Sequence, residues 1–389
     1  MRHECLLALA LIVASGAVGS IALSGQASAL PLSAAFPLIW SLAPRRHCAA
    51  AVSTAYFLAA SRGLPQGVAA FYQSDLWPGL ILWIAASTGF VFVHTILWTP
   101  HAGWRRALRY LAAILLMAVP PFGIVGWAHP ITAAGILFPG WGWGGLVSMA
   151  AGLAIMSTRC WPVAAFAFAG LWLGSAALAT DREDWPKSWQ GVDLQLGSSL
   201  GRDGSLSRHR DLAATVFDQH DPRRSIVVLP ESALGFWTSS VDRLWRQQLS
   251  GTGLTVVAGA AMIDAEGYDN ILVRISAESS EILYRERMPV PGSMWQPWLP
   301  LIGKGSGARA HFFANPVAEV LGYRVAPLIC YEQLIVWPVL QSMLHDPDLI
   351  VAVGNGWWTK GTSIVSIQRA SAEAWARLFG KPLVMSFNT

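Results

Sequence analysis

A chain of 389 residues, 53% of them hydrophobic and only 13% charged, is too apolar for an ordinary water-soluble protein and points to membrane spans. The net charge of +4 is modest, and the arginines of the first half lie between apolar runs. That pattern excludes a basic nucleic-acid footprint, so no direct nucleic-acid binding is expected. The four cysteines, Cys5, Cys48, Cys160 and Cys330, contain no CxxC pair, which excludes a zinc cluster or disulfide framework; no cofactor or metal is expected.

Charge divides the chain. Glu4 and Asp75 are the only acids before Asp181, and the first lysine is Lys187. Residues 1–180 therefore read as a helical transmembrane domain and residues 190–389 as a water-soluble one. Apolar runs fall at roughly 5–24, 28–44, 47–62, 77–98, 107–128, 131–157 and 161–180, against the ~20 residues a helix needs to cross. Pro31 and Pro37 interrupt the second run, where a tilted or re-entrant segment fits better than a straight span. The first run has the look of a leader, with Ala27-Ser28-Ala29 as its cleavage site, but further spans follow at once and it is read as a span.

Arginine placement orients this half. Arg2, Arg45/Arg46, Arg105/Arg106/Arg109 and Arg159 fall at the N-terminus and in alternate loops, and only Arg62 dissents. The positive-inside rule makes their side the cytoplasm and delivers the second half to the outer face of a bacterial inner membrane. Gly140-Trp141-Gly142-Trp143-Gly144-Gly145 is glycine-rich in an apolar context, which suits close helix packing rather than a phosphate cradle.

The second half alternates strands and helices. Strands are expected at 192–196, 225–229, 254–260, 270–276, 281–284, 324–329, 348–353 and 382–388, with helices at 207–219, 239–249 and 363–379, the last stopped by Gly380. Near-continuous apolar strands with helical connectors mean an α/β domain whose sheets are covered by helices. Three polar residues stand where such strands end: Glu231 after Leu229-Pro230, Cys330 after Leu328-Ile329, and Asn355 after Val353-Gly354. Strand ends are where α/β folds assemble sites. A lone cysteine there is most simply a small core residue. A glutamate beside a dry core has its pKa raised, which suits a base taking a thiol proton, and the coincidence of all three favours a thiol nucleophile. Trp295, Trp298, Trp357 and Trp358 are candidates for lipid headgroup contact or for ordinary packing.

Leu229-Pro230-Glu231-Ser232-Ala233-Leu234, Leu328-Ile329-Cys330-Tyr331-Glu332 and Asn355-Gly356-Trp357-Trp358 together resemble the nitrilase superfamily, in particular its membrane-anchored branch, the apolipoprotein N-acyltransferases. The likeness covers about 190–389, and within it lies a branch that serves plasmid conjugation. It implies an α-β-β-α sandwich, a Glu–Lys–Cys triad and an acyl-thioester on the cysteine. Carried over by position, Glu231 matches the base, Cys330 the nucleophile and Glu332 an accessory carboxylate. Implied partners are membrane lipids and either a lipoprotein or pilus and conjugation-channel components. The triad's lysine has no counterpart in register, because Tyr284-Arg285-Glu286-Arg287 puts Glu286 there. Arg285, Arg287 and Lys304 are the candidate substitute cations, although arginine differs from lysine in shape. The resemblance also implies further strands beyond Thr389, so the second domain reads as shortened. A scaffold that binds conjugation components without full catalysis is the competing expectation.

Overall fold

The computed structural model describes residues 2–177, 186–197, 206–303 and 307–389. The chain divides into two compact units: Met1–Asp181 with Leu334–Trp337 and Gly361–Gly380, and Arg182–Gln333 with Pro338–Lys360 and Lys381–Thr389.

The first unit is helical. Its long segment carries α1 (Arg2–Ala22), α2 (Phe36–Ser41), α3 (Arg46–Ala60), α4 (Leu64–Tyr72), α5 (Leu76–Leu97), α6 (Trp104–Ala118), α7 (Ala134–Leu137), α8 (Gly142–Met156) and α9 (Trp161–Ala177). Among the described residues, His3–Ala22 and Leu76–Leu97 are long and apolar enough to cross a membrane. Runs 28–44, 107–128 and 131–157 form shorter helices than the sequence pattern implies. Run 28–44 becomes a 3-10 turn containing Pro31 followed by α2. Run 107–128 ends as a helix at Ala118, two residues ahead of Pro120, which has no N–H to continue it. Residues 178–180 of the last run lie outside the described residues. An aromatic core forms where Phe36 and Trp40 meet Tyr56, Phe90 and Tyr110, and the Trp40 indole donates to the His94 carbonyl at 3.0 Å.

The second unit holds two sheets. β1 (Trp189–Gly191), α10 (Leu206–Gln219), β2 (Ile226–Val228), α11 (Ser239–Leu249), β3 (Thr255–Asp264), β4 (Gly267–Ile275) and β5 (Ser280–Arg285) give a sheet in sequence order, parallel through β3 and antiparallel thereafter. β6 (Ala318–Val320), β7 (Tyr323–Ile329), β8 (Leu349–Asn355) and β9 (Leu383–Asn388) give the second sheet, order β6-β7-β8-β9; in the chain α12 (Val336–Met343) lies between β7 and β8, and α13 (Ile364–Phe379), whose residues belong to the first unit, between β8 and β9. Its last three strands are parallel and joined by helical crossovers, as parallel pairing requires. The strand expected at 192–196 lies earlier, as β1, with Leu194 making one bridge to Asn388.

Alternation sorts the side chains. Ile226 and Val228 enter a core with Val325, Ile329, Leu349, Val351 and Val353 of the facing sheet. Val227 and Leu229, pointing the other way, pack with Leu212 and Val216 of α10 and Trp245 and Leu249 of α11. The α10 face is written at helical spacing, since His209, Leu212, Ala213 and Val216 are its buried residues. Thr238 starts α11 by accepting a hydrogen bond from the Val241 N–H at 3.3 Å, and Gly380 ends α13 at a φ of 64°, where glycine carries no Cβ penalty. Two sheets, each part parallel and joined by helical crossovers, are what the resemblance to the nitrilase superfamily implies for this half.

Candidate active site

The parallel strands deliver their ends to one place. Glu231 follows β2, Cys330 follows β7, and Asn355 and Asn388 close β8 and β9. Glu231 is 4% exposed and Cys330 is 5% exposed. The Glu231 carboxyl lies within hydrogen-bonding reach of the Cys330 thiol and of the Asn355 backbone, which both favour its charged form, while its Oε2 has no hydrogen-bond partner among the described residues. The acid and the thiol, far apart in sequence, are therefore in direct contact.

The thiol itself, and the residue after the acid, are held in backbone conformations that side chains avoid. Cys330 has a φ of 48° and Ser232, next to Glu231, a φ of 60°. Non-glycine residues in the left-handed region cost of order 1–2 kcal/mol each and persist where the surroundings fix them. Here the restraints are visible. A Cβ on Gly259 of β3 would lie 2.5 Å from the Glu231 Cα, so only glycine lets the Pro230–Ser232 turn lie flat on that strand. The Gly259 N–H donates to the Pro230 carbonyl at 3.2 Å and the Leu234 N–H to the Gly259 carbonyl at 3.0 Å.

Glu332 holds the cysteine turn. Residues Cys330–Gln333 form a single 3-10 turn that folds the Glu332 carboxylate back under the strand end. It accepts from the Ile329 N–H at 2.8 Å, the Arg287 N–H at 2.7 Å, the Met288 N–H at 3.2 Å and the Tyr284 hydroxyl at 2.6 Å. Burial pushes this carboxyl above its ordinary range, against the opposing pull of Arg287, Tyr284 and the amides. Every one of those hydrogen bonds is received, which is the pattern of an ionised carboxylate.

Arg287, fully buried, is occupied by this arrangement. Its Nε donates to the Tyr284 hydroxyl at 2.8 Å, Nη1 to Gln341 at 3.1 Å, and Nη2 to the Pro327 carbonyl at 3.2 Å and to Ser342 at 3.0 Å. Arg285 is engaged by Asp269, which also takes Arg309 at 3.1 Å and His311 at 2.9 Å. Lys304 lies outside the described residues.

Two further residues stand in the site. Asn270 of β4 donates from its one amide nitrogen to Glu231 Oε1 at 2.8 Å and to Glu286 Oε2 at 3.0 Å. Burial pushes the Glu231 carboxyl up to about 7, opposed by the Asn270 and Cys330 hydrogen bonds and reinforced by the Glu332 charge. Burial, and then the charges of Glu231 and Glu332, hold the Glu286 carboxyl well above the usual carboxylate range. Sequence reading missed Asn270, although a signal existed. Asn270 is two residues before Leu272, and Glu286 two after Tyr284, both of which face the inter-sheet core. A polar residue in phase with inward apolar ones is a buried polar residue that needs a partner.

A carboxylate against a thiol can remove its proton as the sulfur attacks an acyl carbonyl. Among the described residues no cluster of three or more His, Cys, Asp or Glu has metal-binding geometry.

The family model for carbon-nitrogen hydrolases matches residues 58–377. A probable conjugal transfer protein TraB of Sinorhizobium fredii is 64% identical over 389 residues, covering 100% of both chains. The conjugal transfer protein TraB of Agrobacterium fabrum is 58% identical over 97% of this chain and 92% of its own. An apolipoprotein N-acyltransferase of Photobacterium profundum is 35% identical over 101 residues, covering 25% of this chain and 19% of its own. Among solved structures, an amidase from Nesterenkonia is 15% identical at a TM-score of 0.36, covering 54% of this chain and 80% of that one.

Proposed function

Because the chain belongs to the carbon-nitrogen hydrolase family, we propose that its Glu231–Cys330 pair performs thiol-based acyl transfer or amide cleavage in the service of conjugal plasmid transfer. The single observation that carries this reading is the thiol within hydrogen-bonding reach of a buried carboxyl, at a strained strand end. Glu231 takes the Cys330 proton while the sulfur bonds to the acyl carbon, and the leaving amine or alcohol departs with that proton. An acceptor amine or water then releases the acyl group from the thioester. Glu332 and Arg287 position the turn. The names of the two long relatives support the conjugation setting, in which pilus or channel components, or a lipoprotein, supply the acceptor.

In this reading residues 1–180 are a multi-pass inner-membrane domain of about seven crossings, and residues 190–389 face the periplasm. Two crossing-length helices support it. So do outward apolar side chains such as Val163, Phe166 and Leu173 on α9, a surface that water would disfavour. A second reading, a catalytically silent scaffold for the conjugation apparatus, is favoured by Glu286 standing in the register of the family's lysine.

The test is acyl-thioester trapping in spheroplasts. The expected result is a hydroxylamine-labile acyl group on Cys330 that vanishes in Cys330→Ala; its absence from the wild-type protein selects the scaffold. Protease added outside the same spheroplasts should digest residues 190–389, and protection of that segment sinks the periplasmic placement.

A further inference from the structure

Glu286 is 1% exposed, shares the Asn270 amide with Glu231, and its Oε1 has no hydrogen-bond partner among the described residues. Glu231 Oε2, on the candidate base that shares Asn270 with it, is likewise unpartnered, and two such buried oxygens are costly unless they serve a ligand. The charges around it decide what it offers. Glu231 lies beyond β2, and Glu332 and Cys330 lie in the turn after β7. On its own segment Arg285 is occupied by Asp269, and Arg287 and Tyr284 by Glu332. No cation among the described residues is paired with either Glu231 or Glu286.

Two carboxylates bridged by one amide nitrogen in a dry site repel strongly, so one of the pair keeps its proton at neutral pH. Glu231 must be ionised to accept the thiol proton, which leaves the proton on Glu286. We propose that Glu286 is a catalytic residue of this site whose neutral carboxyl donates a hydrogen bond, without giving up its proton, to the oxyanion that forms when Cys330 attacks an acyl carbonyl. This rests on the thiol acyl-transfer reading above. As the S–C bond forms, the carbonyl π electrons move to oxygen, the thiol proton moves to Glu231, and the Glu286 proton stays on Glu286 as a hydrogen bond. When the intermediate collapses, the leaving group carries off the proton from Glu231, and Glu286 is unchanged. A neutral acid thus fills the place that the resemblance assigns to a lysine, and the site needs no cation.

The sign of the pH dependence follows. At low pH Glu231 is protonated and acylation is slow. At high pH Glu286 loses its proton, becomes a second anion beside the oxyanion, and acylation falls again. The two limbs belong to the coupled pair.

The experiment compares two reagents on the full-length protein in detergent micelles. p-Nitrophenyl acetate acylates Cys330 through an oxyanion, whereas neutral iodoacetamide alkylates the same sulfur without one; both are read by intact mass against Cys330→Ala. We expect Glu286→Ala to slow acylation about 100-fold while alkylation stays within about 3-fold. Glu286→Gln, which still donates hydrogen bonds, is expected to keep acylation within about 10-fold and to lose the alkaline fall. Equal slowing of both reactions, no slowing of either, or an alkaline fall that survives in Glu286→Gln overturns the proposal. A wild-type protein that is alkylated but never acylated at Cys330 overturns the acyl-transfer reading, and Glu286's role with it. Normal wild-type acylation with unresponsive Glu286 variants overturns the Glu286 assignment alone.

Discussion

Two groups of buried acid lie within one site, and they are built in opposite ways. Glu332 receives hydrogen bonds from three backbone amides and a tyrosine, with Arg287 at 3.8 Å to balance its charge. Glu231 and Glu286 share one amide nitrogen and have no cation. The first arrangement satisfies the charge and fixes it, so it anchors the Cys330 turn to the end of β5. The second leaves its carboxyls underserved, and a group whose charge is poorly stabilised is one whose proton moves readily. The chemistry is expected in the second and the rigidity in the first.

The sharpest way to break this contrast is to remove the cation from the satisfied acid. Arg287→Met leaves Glu332 charged, buried and unpaired, and the Gln341 and Ser342 side chains lose their donor. A loss of about 3–5 kcal/mol in unfolding free energy is expected, because a buried pair broken on one side strands the other. Arg287→Lys should recover only a small part of it, since a point charge cannot reach Tyr284, Gln341, Pro327 and Ser342 at once. Chemical denaturation of the two variants measures this. A near-neutral Arg287→Met would place Arg287 outside the anchoring network.

The under-satisfied acid should respond in the reverse sense. A carboxyl raised from its ordinary range to about 7 binds more protons folded than unfolded between those two values. Its contribution to stability is therefore complete below the unfolded pKa and is lost as pH rises toward 7. Glu231→Gln removes that titration, so the variant should gain stability relative to the wild-type protein as pH rises from 5 to 8. The same substitution removes the base, so acylation of Cys330 should fall to the level of Cys330→Ala. Thermal melts at pH 5 and pH 8 test the stability half: the gain should appear at pH 8 and shrink at pH 5. A variant destabilised equally at both would make Glu231 another anchoring acid.

The contrast also marks where the sequence was readable. Helix α11 runs over the residues that its pattern predicts, 239–249, and α10 and α13 differ from theirs by one residue at the start, because amphipathic spacing and capping are local signals. Strands β6 and β7 pair around Leu321 and Gly322, yet β6 spans only three residues, too few to show a period, and was not foreseen. Glu231 and Cys330 stood out because each ends an apolar run. Asn270 did not, since its partners, Glu231 and Glu286, come from two separate strand ends that only the folded sheet brings together. Arg287, read as a substitute cation for chemistry, is bound instead by Tyr284 and by residues 327, 341 and 342, none of which its own segment announces apart from the tyrosine. In the apolar half, counting hydrophobic residues does not register where Pro120 cuts the run 107–128, whereas Pro31 and Pro37 mark the break in run 28–44 in the sequence itself.

The smallest effect concerns the backbone of the nucleophile itself. Cys330 occupies the left-handed region at a φ of 48°, which an L-residue enters at a cost of order 1 kcal/mol and glycine enters freely. In an ordinary strand or helix position, replacing alanine by glycine destabilises by roughly 0.5–1 kcal/mol, through the entropy of the unfolded chain. At position 330 the two terms oppose each other. Cys330→Gly should therefore be as stable as Cys330→Ala or slightly more so, although both lack the sulfur and both are inactive. The pair is compared by denaturant midpoint, where the shared loss of the thiol cancels. A Cys330→Gly variant weaker than Cys330→Ala by the usual amount would mean that the turn imposes no strain on the nucleophile. The thiol would then owe its position to Glu332 and the strand end alone.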